Sequence, residues 1–532
     1  MKKITLSVYT KALIQQLAAL SPKKPTDEFG RLEVSQTASF FAILYEKIRN
    51  AVEYREAHLI RRSSIERILR RRLLLNASAS GEGESIIREL MWARYFPPES
   101  LGEADIQTVE GIIQKYVRVR DHLLTARNGR ARKYFSGFIY DLMTCEIEEA
   151  LSPYEAKRNA LQTFYIFQVL KDKVRVENIT DEKKNAYFYV AIERLFAKSD
   201  RAYLRAHLFS LLYGSISSAK NPELEQITAG LPKIFQNIDG LIKNPYTDRL
   251  RRFINGQMPP FRVLFDITGK GAEAVKEIAA DPVKLWVEVD RTCRAKYDQG
   301  SRRLTRLAIK AIIYIFLSKM LFALALEYPL SLHLFGEVNY TALWVNTLFP
   351  PLLMFLIVGF TRIPGAENTK RIYNRLIDVI DADRSFEASV SFVMRRARVK
   401  RPILIFTFTI FYSMTFFMTF LLLYGILQLF NFNIVSKLVF VFFVSLVSFF
   451  AHRIRQAARE YQLREKETFF RPFIDFFLMP FLSVGKILST GISRLNFLGV
   501  VLDFLIEAPF KLIIEVIEEW VNFMRARREE IS

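Results

Sequence analysis

At 532 residues with 51% hydrophobic side chains, the chain is long enough for two or more cored units, and its composition alone does not separate a soluble protein from a membrane one. Two cysteines exclude a disulfide framework. The net charge of +21, divided almost evenly between the parts before and after Gly300, suits anionic lipid headgroups or nucleic acid without choosing between them.

The Met-Lys-Lys start leads into a stretch broken by Lys11, Gln15 and Gln16, short of the ~7–15 apolar residues of a secretory core. The expectation is no cleaved signal, with the first span acting as the insertion signal. Residues 1–34 read as an N-terminal segment ending in a Pro- and charge-rich linker. From Val34 to Leu75, residues such as Phe41, Leu44, Ile48, Val52, Leu59, Ile65, Ile68, Leu69 and Leu73 recur at helical spacing, which predicts one long amphipathic helix or a kinked pair.

Helical patterns continue to residue 300, punctuated by Pro97-Pro98, Asn128-Gly129, Ser152-Pro153, Asn221-Pro222, Asn244-Pro245 and Pro259-Pro260. Thr180-Asp181-Glu182 predicts a cap before a helix over 183–198, and Asp281-Pro282 predicts a cap and first turn opening a helix from Val283. Residues 35–300 are thus expected to form a helical cytoplasmic domain.

From Lys310 the character changes. Spans are predicted at about 311–331, 343–360, 403–429 and 434–451, each able to cross a ~30 Å hydrocarbon core. Basic residues precede the first span (Arg302, Arg303, Arg306, Lys310), fill the loop 361–401 and follow the fourth span (Arg453, Arg455, Arg459). The connections 327–342 and 431–433 contain no Lys or Arg. This alternation predicts a membrane domain over 301–454 with both termini and the basic loop in the cytoplasm. Beyond it, Phe473–Val484 and Phe497–Ile506 are too short to span, and Leu512, Ile513, Val516, Ile517, Trp520 and Met524 mark one helix face. Residues 455–532 are expected to be cytoplasmic amphipathic helices, on the membrane surface or packed back onto the bundle. The fold class is an all-α polytopic membrane protein, placed in a bacterial cytoplasmic membrane.

Five groups of residues are candidates for function. Lys319 lies roughly 12 Å along the first span, where an ionisable side chain needs a partner. Hydroxyls or backbone carbonyls are its expected partners, since the second, third and fourth spans contain no Asp or Glu and Glu327 lies about two turns further along. Thr409 with Ser413, and Thr415 with Thr419, are i,i+4 pairs in the third span, expected to bond across helices. Pro350-Pro351 should kink the second span. The run Arg61, Arg62, Arg67, Arg70, Arg71 and Arg72 is the densest basic cluster, a candidate surface for anionic headgroups or, less well, nucleic acid, since it has no interleaved aromatics. Asn339-Tyr340-Thr341 matches a glycosylation sequon.

The five histidines and two cysteines have neither metal-ligand spacing nor a nucleophile's neighbours, so no cofactor and no enzyme activity are expected. The sequence reading is a non-enzymatic, membrane-anchored scaffold or interaction module that presents a basic helical domain to a cytoplasmic protein partner. The alternative is a small transporter or channel with a regulatory cytoplasmic domain.

Overall fold

The computed structural model describes residues 4–20, 56–381, 392–394, 402–463 and 478–488, with short gaps at 77–79, 98–99, 126–127, 177–178, 220, 270, 362 and 459, together with Trp520 and Met524. Residues 34–55 of the helix or kinked pair predicted over Val34–Leu75, and the amphipathic segments around 497–517, lie outside the described residues. What is described is almost entirely α-helical; its strands are two three-residue segments, Val174–Val176 and Phe392–Met394. The described residues fall into two compact units, one built on 7–255 and the other on 256–381 with 402–463 and 478–488, to which residues 4–6 also belong.

In the first unit the helix Gly129–Leu151 is central. It buries Phe135, Phe138, Ile139, Leu142, Met143 and Ile147 at spacings of three and four. The helices Ala57–Leu75, Glu103–Leu124 and Arg201–Tyr213 pack around it. Each such side chain, fully buried, contributes about 1.5–3 kcal/mol, so this helix carries much of the unit's stability. Phe138 stacks on Phe235 with ring centroids 3.7 Å apart. Gly83 lets Glu82–Trp92 approach Glu103–Leu124, because a Cβ there would stand 2.9 Å from the Ile106 carbonyl oxygen. Glu110 then accepts from the backbone N–H groups of Gly81 and Gly83 at 2.9 and 2.8 Å, satisfying donors that a helix start leaves open.

In the second unit one helix dominates, Pro282–Phe335, 54 residues long. It begins as its sequence predicts. The Asp281 carboxylate accepts from the N–H groups of Val283 (2.8 Å) and Lys284 (3.4 Å), and Pro282 fills the first position, where no N–H is needed. Five residues within it, Ala323–Glu327, adopt π-helical geometry. Among the described residues four helices are long and apolar enough to cross a membrane: Pro282–Phe335, Tyr340–Gly359, Phe406–Leu429 and Ile434–Gln456. The first, second and fourth pack on one another. The third meets them through Leu423 and Leu427, against Ala342, Phe432, Phe440 and Val444.

One element was not expected from the sequence, and another takes one of its two expected places. The basic loop 361–401 contains an amphipathic helix, Ala366–Ile380, which buries Ile372, Leu376, Val379 and Ile380 and packs on Pro282–Phe335. The apolar helix Leu478–Leu488, expected on the membrane surface or against the bundle, packs against the third and fourth spans. Phe481 meets Phe420 with centroids 5.4 Å apart, and the Ser483 and Tyr412 hydroxyls are 3.2 Å apart. A Cβ at Gly485 would collide with the Ser445 carbonyl oxygen and stand 2.7 Å from Phe449 Cβ, so glycine is what admits this contact.

Candidate functional site

Lys319 is fully buried, and its Nζ donates to Glu327 Oε2 at 2.7 Å. The partner expected from sequence was a hydroxyl or carbonyl; the structure corrects this to a carboxylate on the same helix. The reason is the π-turn. In continuous α-helix a residue eight positions on has rotated about 80° past two full turns, off the face. One residue absorbed by a wider turn returns Glu327 to the angular place of i+7, within about 20° of Lys319. No sequence signal announces a π-turn, and so Glu327, about two turns further along, was set aside as a partner.

A third side chain completes the site. Asn346, fully buried on the second span, donates from Nδ2 to Glu327 Oε1 at 2.6 Å and to the Ser436 carbonyl at 3.1 Å. Both partners are acceptors, which fixes the orientation of the amide. Its Oδ1 is buried with no hydrogen-bond partner. Pro350, four residues on, has no N–H to give the Asn346 backbone carbonyl. The predicted bend residues Pro350 and Pro351 are buried within a continuous helix, next to this site rather than apart from it. An amide in an otherwise apolar span was the available clue to Asn346.

The hydroxyls of the third span do not join this cluster. Thr415 donates to the Phe411 carbonyl and Thr419 to the Thr415 carbonyl, at 2.9 and 2.8 Å. These bonds run back along the helix, whereas cross-helix bonds were expected; a hydroxyl four residues on reaches its own helix's carbonyl more easily than a neighbour. Thr409 and Ser413 are exposed.

The arginine run lies on the helix Ala57–Leu75, and its guanidiniums meet carboxylates inside the first unit. Arg61 bonds Glu148 and Glu155, and Arg62 bonds Glu66 and Asp200. Arg70 bonds Glu66, while Arg71 and Arg72 converge on the buried Glu89. Arg67 is also engaged. Glu66 is four residues from both Arg62 and Arg70 on the same helix, a spacing legible in the sequence, whereas the other acids come from elsewhere in the chain.

Below this network a cavity of about 450 Å³ is lined by Glu146, Glu148, Glu149, Glu193, His58 and His207, among others. Its groups hold one another. Tyr116 donates to Glu146 at 2.6 Å and Tyr203 to Glu148 at 2.7 Å. His207 sits between two acids, with Nδ1 3.0 Å from Glu193 and Nε2 2.6 Å from Glu149. Burial opposes its charge, but the two carboxylates outweigh burial and hold the imidazolium well above its ordinary value of 6.5. Burial likewise pushes Glu193 up, and His207 with the hydroxyls of Ser199 and Tyr189 overcomes it, leaving the carboxyl below its ordinary value. Partial burial, with Arg61 nearby, pushes His58 down. Cys145 is buried, and burial pushes its thiol far up, as expected of a structural thiol. Among the described residues no group of acids, histidines and cysteines is arranged to hold a metal ion.

In the second unit Asn368 ties three segments together. It donates to the Tyr297 hydroxyl (2.7 Å) and the Tyr461 carbonyl (2.9 Å), and accepts from the Leu463 N–H (2.9 Å). Asn339 of the sequon caps the second span through Ala342 N–H (3.0 Å) and reaches the Asn431 carbonyl (3.2 Å).

Comparison with family models, curated proteins and solved structures gives no match.

Proposed function

We propose that the chain is a multi-pass membrane protein, with both termini and the basic loop on the cytoplasmic side, that anchors a helical domain as a scaffold for a cytoplasmic protein partner. One observation carries the anchoring role. At 1.5 Å per residue the Pro282–Phe335 helix is about 80 Å long, far beyond a ~30 Å hydrocarbon core. More than half of it therefore projects from the bilayer, and that part packs with Ala272–Ala280 and Ala366–Ile380. One rigid rod belongs both to the bundle and to the polar helices beside it. The basic residues at the span ends, Arg302, Arg303, Arg306 and Arg453, are placed by this reading at anionic headgroups of a bacterial cytoplasmic membrane.

The test is in-cell photo-crosslinking from exposed Phe164 and Leu211 in the first unit. Capture of one protein partner is expected; capture of lipid or RNA alone would overturn the scaffold reading. Proteoliposomes should show no solute flux. The second reading, a transporter or channel, is favoured by the buried Lys319–Glu327 pair, because intramembrane ionisable residues mark ion and proton pathways. Under it flux is present and Lys319→Met abolishes it.

A further inference from the structure

The acid-lined cavity of the first unit continues past Glu146 and Glu149. A second cavity, of about 550 Å³, adjoins it and shares Glu146, Glu149, Ala156 and Lys157 with it. Together they form one cleft, and each part falls in the ~300–1,000 Å³ range of pockets that seat ligands. Local sequence builds the waist between them. Glu146 and Glu149 stand three residues apart on Gly129–Leu151 and so share a face of that helix. Ala156 and Ala160, one turn apart on Pro153–Leu170, also line the cleft, and their short side chains leave room in it.

In a chain of net charge +21, this cleft is one cation short. Its carboxylates are Glu146, Glu148, Glu149, Glu155 and Glu193, and its cations are Arg61, Lys115, Lys157 and His207. Arg61 is taken by Glu148 and Glu155, and Lys115 by the carbonyls of Ser217 and Ala219. His207 is divided between Glu149 and Glu193. Glu146 accepts from the hydroxyls of Tyr116, Ser215 and Ser217, and among the described residues no cation pairs with it. Glu149 accepts one bond of the about four open to a carboxylate, and its side chain is 36% exposed. A second observation is independent of charge. Leu211 lines the cleft and is 63% exposed, and Phe164, one turn beyond Ala160 on the same helix face, is 57% exposed.

We propose that the cytoplasmic partner docks in this cleft, inserting one lysine or arginine side chain at the waist and laying adjoining apolar residues on Leu211 and Phe164. The cation bonds Glu146 and Glu149 and supplies the charge the cleft lacks, while its apolar stem runs past Ala156 and Ala160. A free amine would answer the carboxylates but leave Leu211 and Phe164 in water; a peptide segment covers both. Nucleic acid and anionic headgroups are repelled by the same carboxylates. Docking here rests on the scaffold reading and adds to it the chemistry by which the partner is held.

Random peptides displayed on phage are selected against the full chain in nanodiscs of zwitterionic lipid, where basic peptides gain nothing from the bilayer. Enriched peptides should carry a lysine or arginine beside apolar residues. Replacing that residue by glutamine should weaken binding to the wild type about tenfold and leave binding to Glu149→Gln nearly unchanged. Such coupling arises where the two charges meet, so a general loss of folding does not imitate it. Leu211→Ser should weaken binding of the same peptides. Should Glu149→Gln not fold, Glu146→Gln gives the same reading. No enrichment, enrichment of acidic or uncharged peptides, or equal losses in wild type and variant overturn the cleft as a docking place. Spermidine binding that is lost in Glu149→Gln, with no peptide enriched, assigns it to a small amine instead. In-cell capture from Phe164 and Leu211 that persists undiminished in Glu149→Lys removes the cleft and leaves the scaffold standing. No capture in cells, with peptides coupled to Glu149 as expected, removes the scaffold and leaves the cleft.

Discussion

His207 has both ring nitrogens on carboxylates, and this makes the first unit's stability depend on alkali. Its folded pKa lies above the unfolded value of 6.5, so the contribution is complete below 6.5 and is lost as the pH rises through the folded value. Thermal melting across that range should show a falling alkaline arm, flattened in His207→Gln; an arm unchanged in the variant would place the effect elsewhere. The arginine run makes a second residue-level prediction. Arg71 and Arg72 both donate to Glu89, whose side chain is 3% exposed. Replacing both by Gln strips a buried carboxylate of two cations, at a cost of about 3–5 kcal/mol in denaturant unfolding. Were the run chiefly a lipid surface, vesicle binding would fall while stability stayed within about 0.5 kcal/mol. At this scale the sequence disclosed which residues were unusual, such as Lys319 in an apolar run and six arginines within twelve positions. Apart from Glu66, an i,i+4 partner of Arg62 and Arg70, it did not disclose their partners, because Glu89, Glu148 and Asp200 are brought to them only by tertiary packing.

Elements were more legible than partners. Asp281-Pro282 opens a helix as predicted; the second, third and fourth apolar stretches are helices within a few residues of their predicted ends, whereas the first is the later part of the helix that begins at Pro282. Thr180 marks a helix start without bonding through its side chain, and that helix passes into π geometry at Glu193–Ala197 before the predicted end at 198. Both π-turns escaped notice because apolar periodicity over a few residues does not distinguish a wide turn from an α-turn. The Leu478–Leu488 helix was recognised as too short to cross, yet what decides its place is one atom's absence at Gly485. Gly485→Leu should therefore release it. Cysteines introduced at Tyr412 and Ser483, joined by a short bismaleimide that replaces the reach of the tyrosine ring, should crosslink in the otherwise native chain and fail to do so once Gly485→Leu is added. Efficient crosslinking in the Gly485→Leu chain would show that close approach to Ser445 does not hold this helix.

The whole molecule turns on the continuity of the Pro282–Phe335 rod. Its early part is held by Ala366–Ile380, where Cys293 is buried and Tyr297 meets Asn368. That shorter helix is tied in turn to the spans: only residues 360–365 separate it from the second, and Asn368 grips Tyr461 and Leu463 just after the fourth. The rod's two ends are consequently in register with each other through a closed loop of contacts. Two residues inserted after Gly300 would turn its early part by about 200° and lengthen it by about 3 Å, so the packing at Cys293 and the packing at Lys319 cannot both survive. Four inserted residues turn it by only about 40° beyond a full rotation and largely restore the facing side chains. Maleimide labelling of Cys293 in the full chain, with Cys145 replaced by Ala, measures this. Labelling should be slow in the uninserted chain, fast with two added residues and slow again with four. A rate that rises steadily with insert length would instead mean the rod is interrupted near Gly300 and transmits no register between its ends.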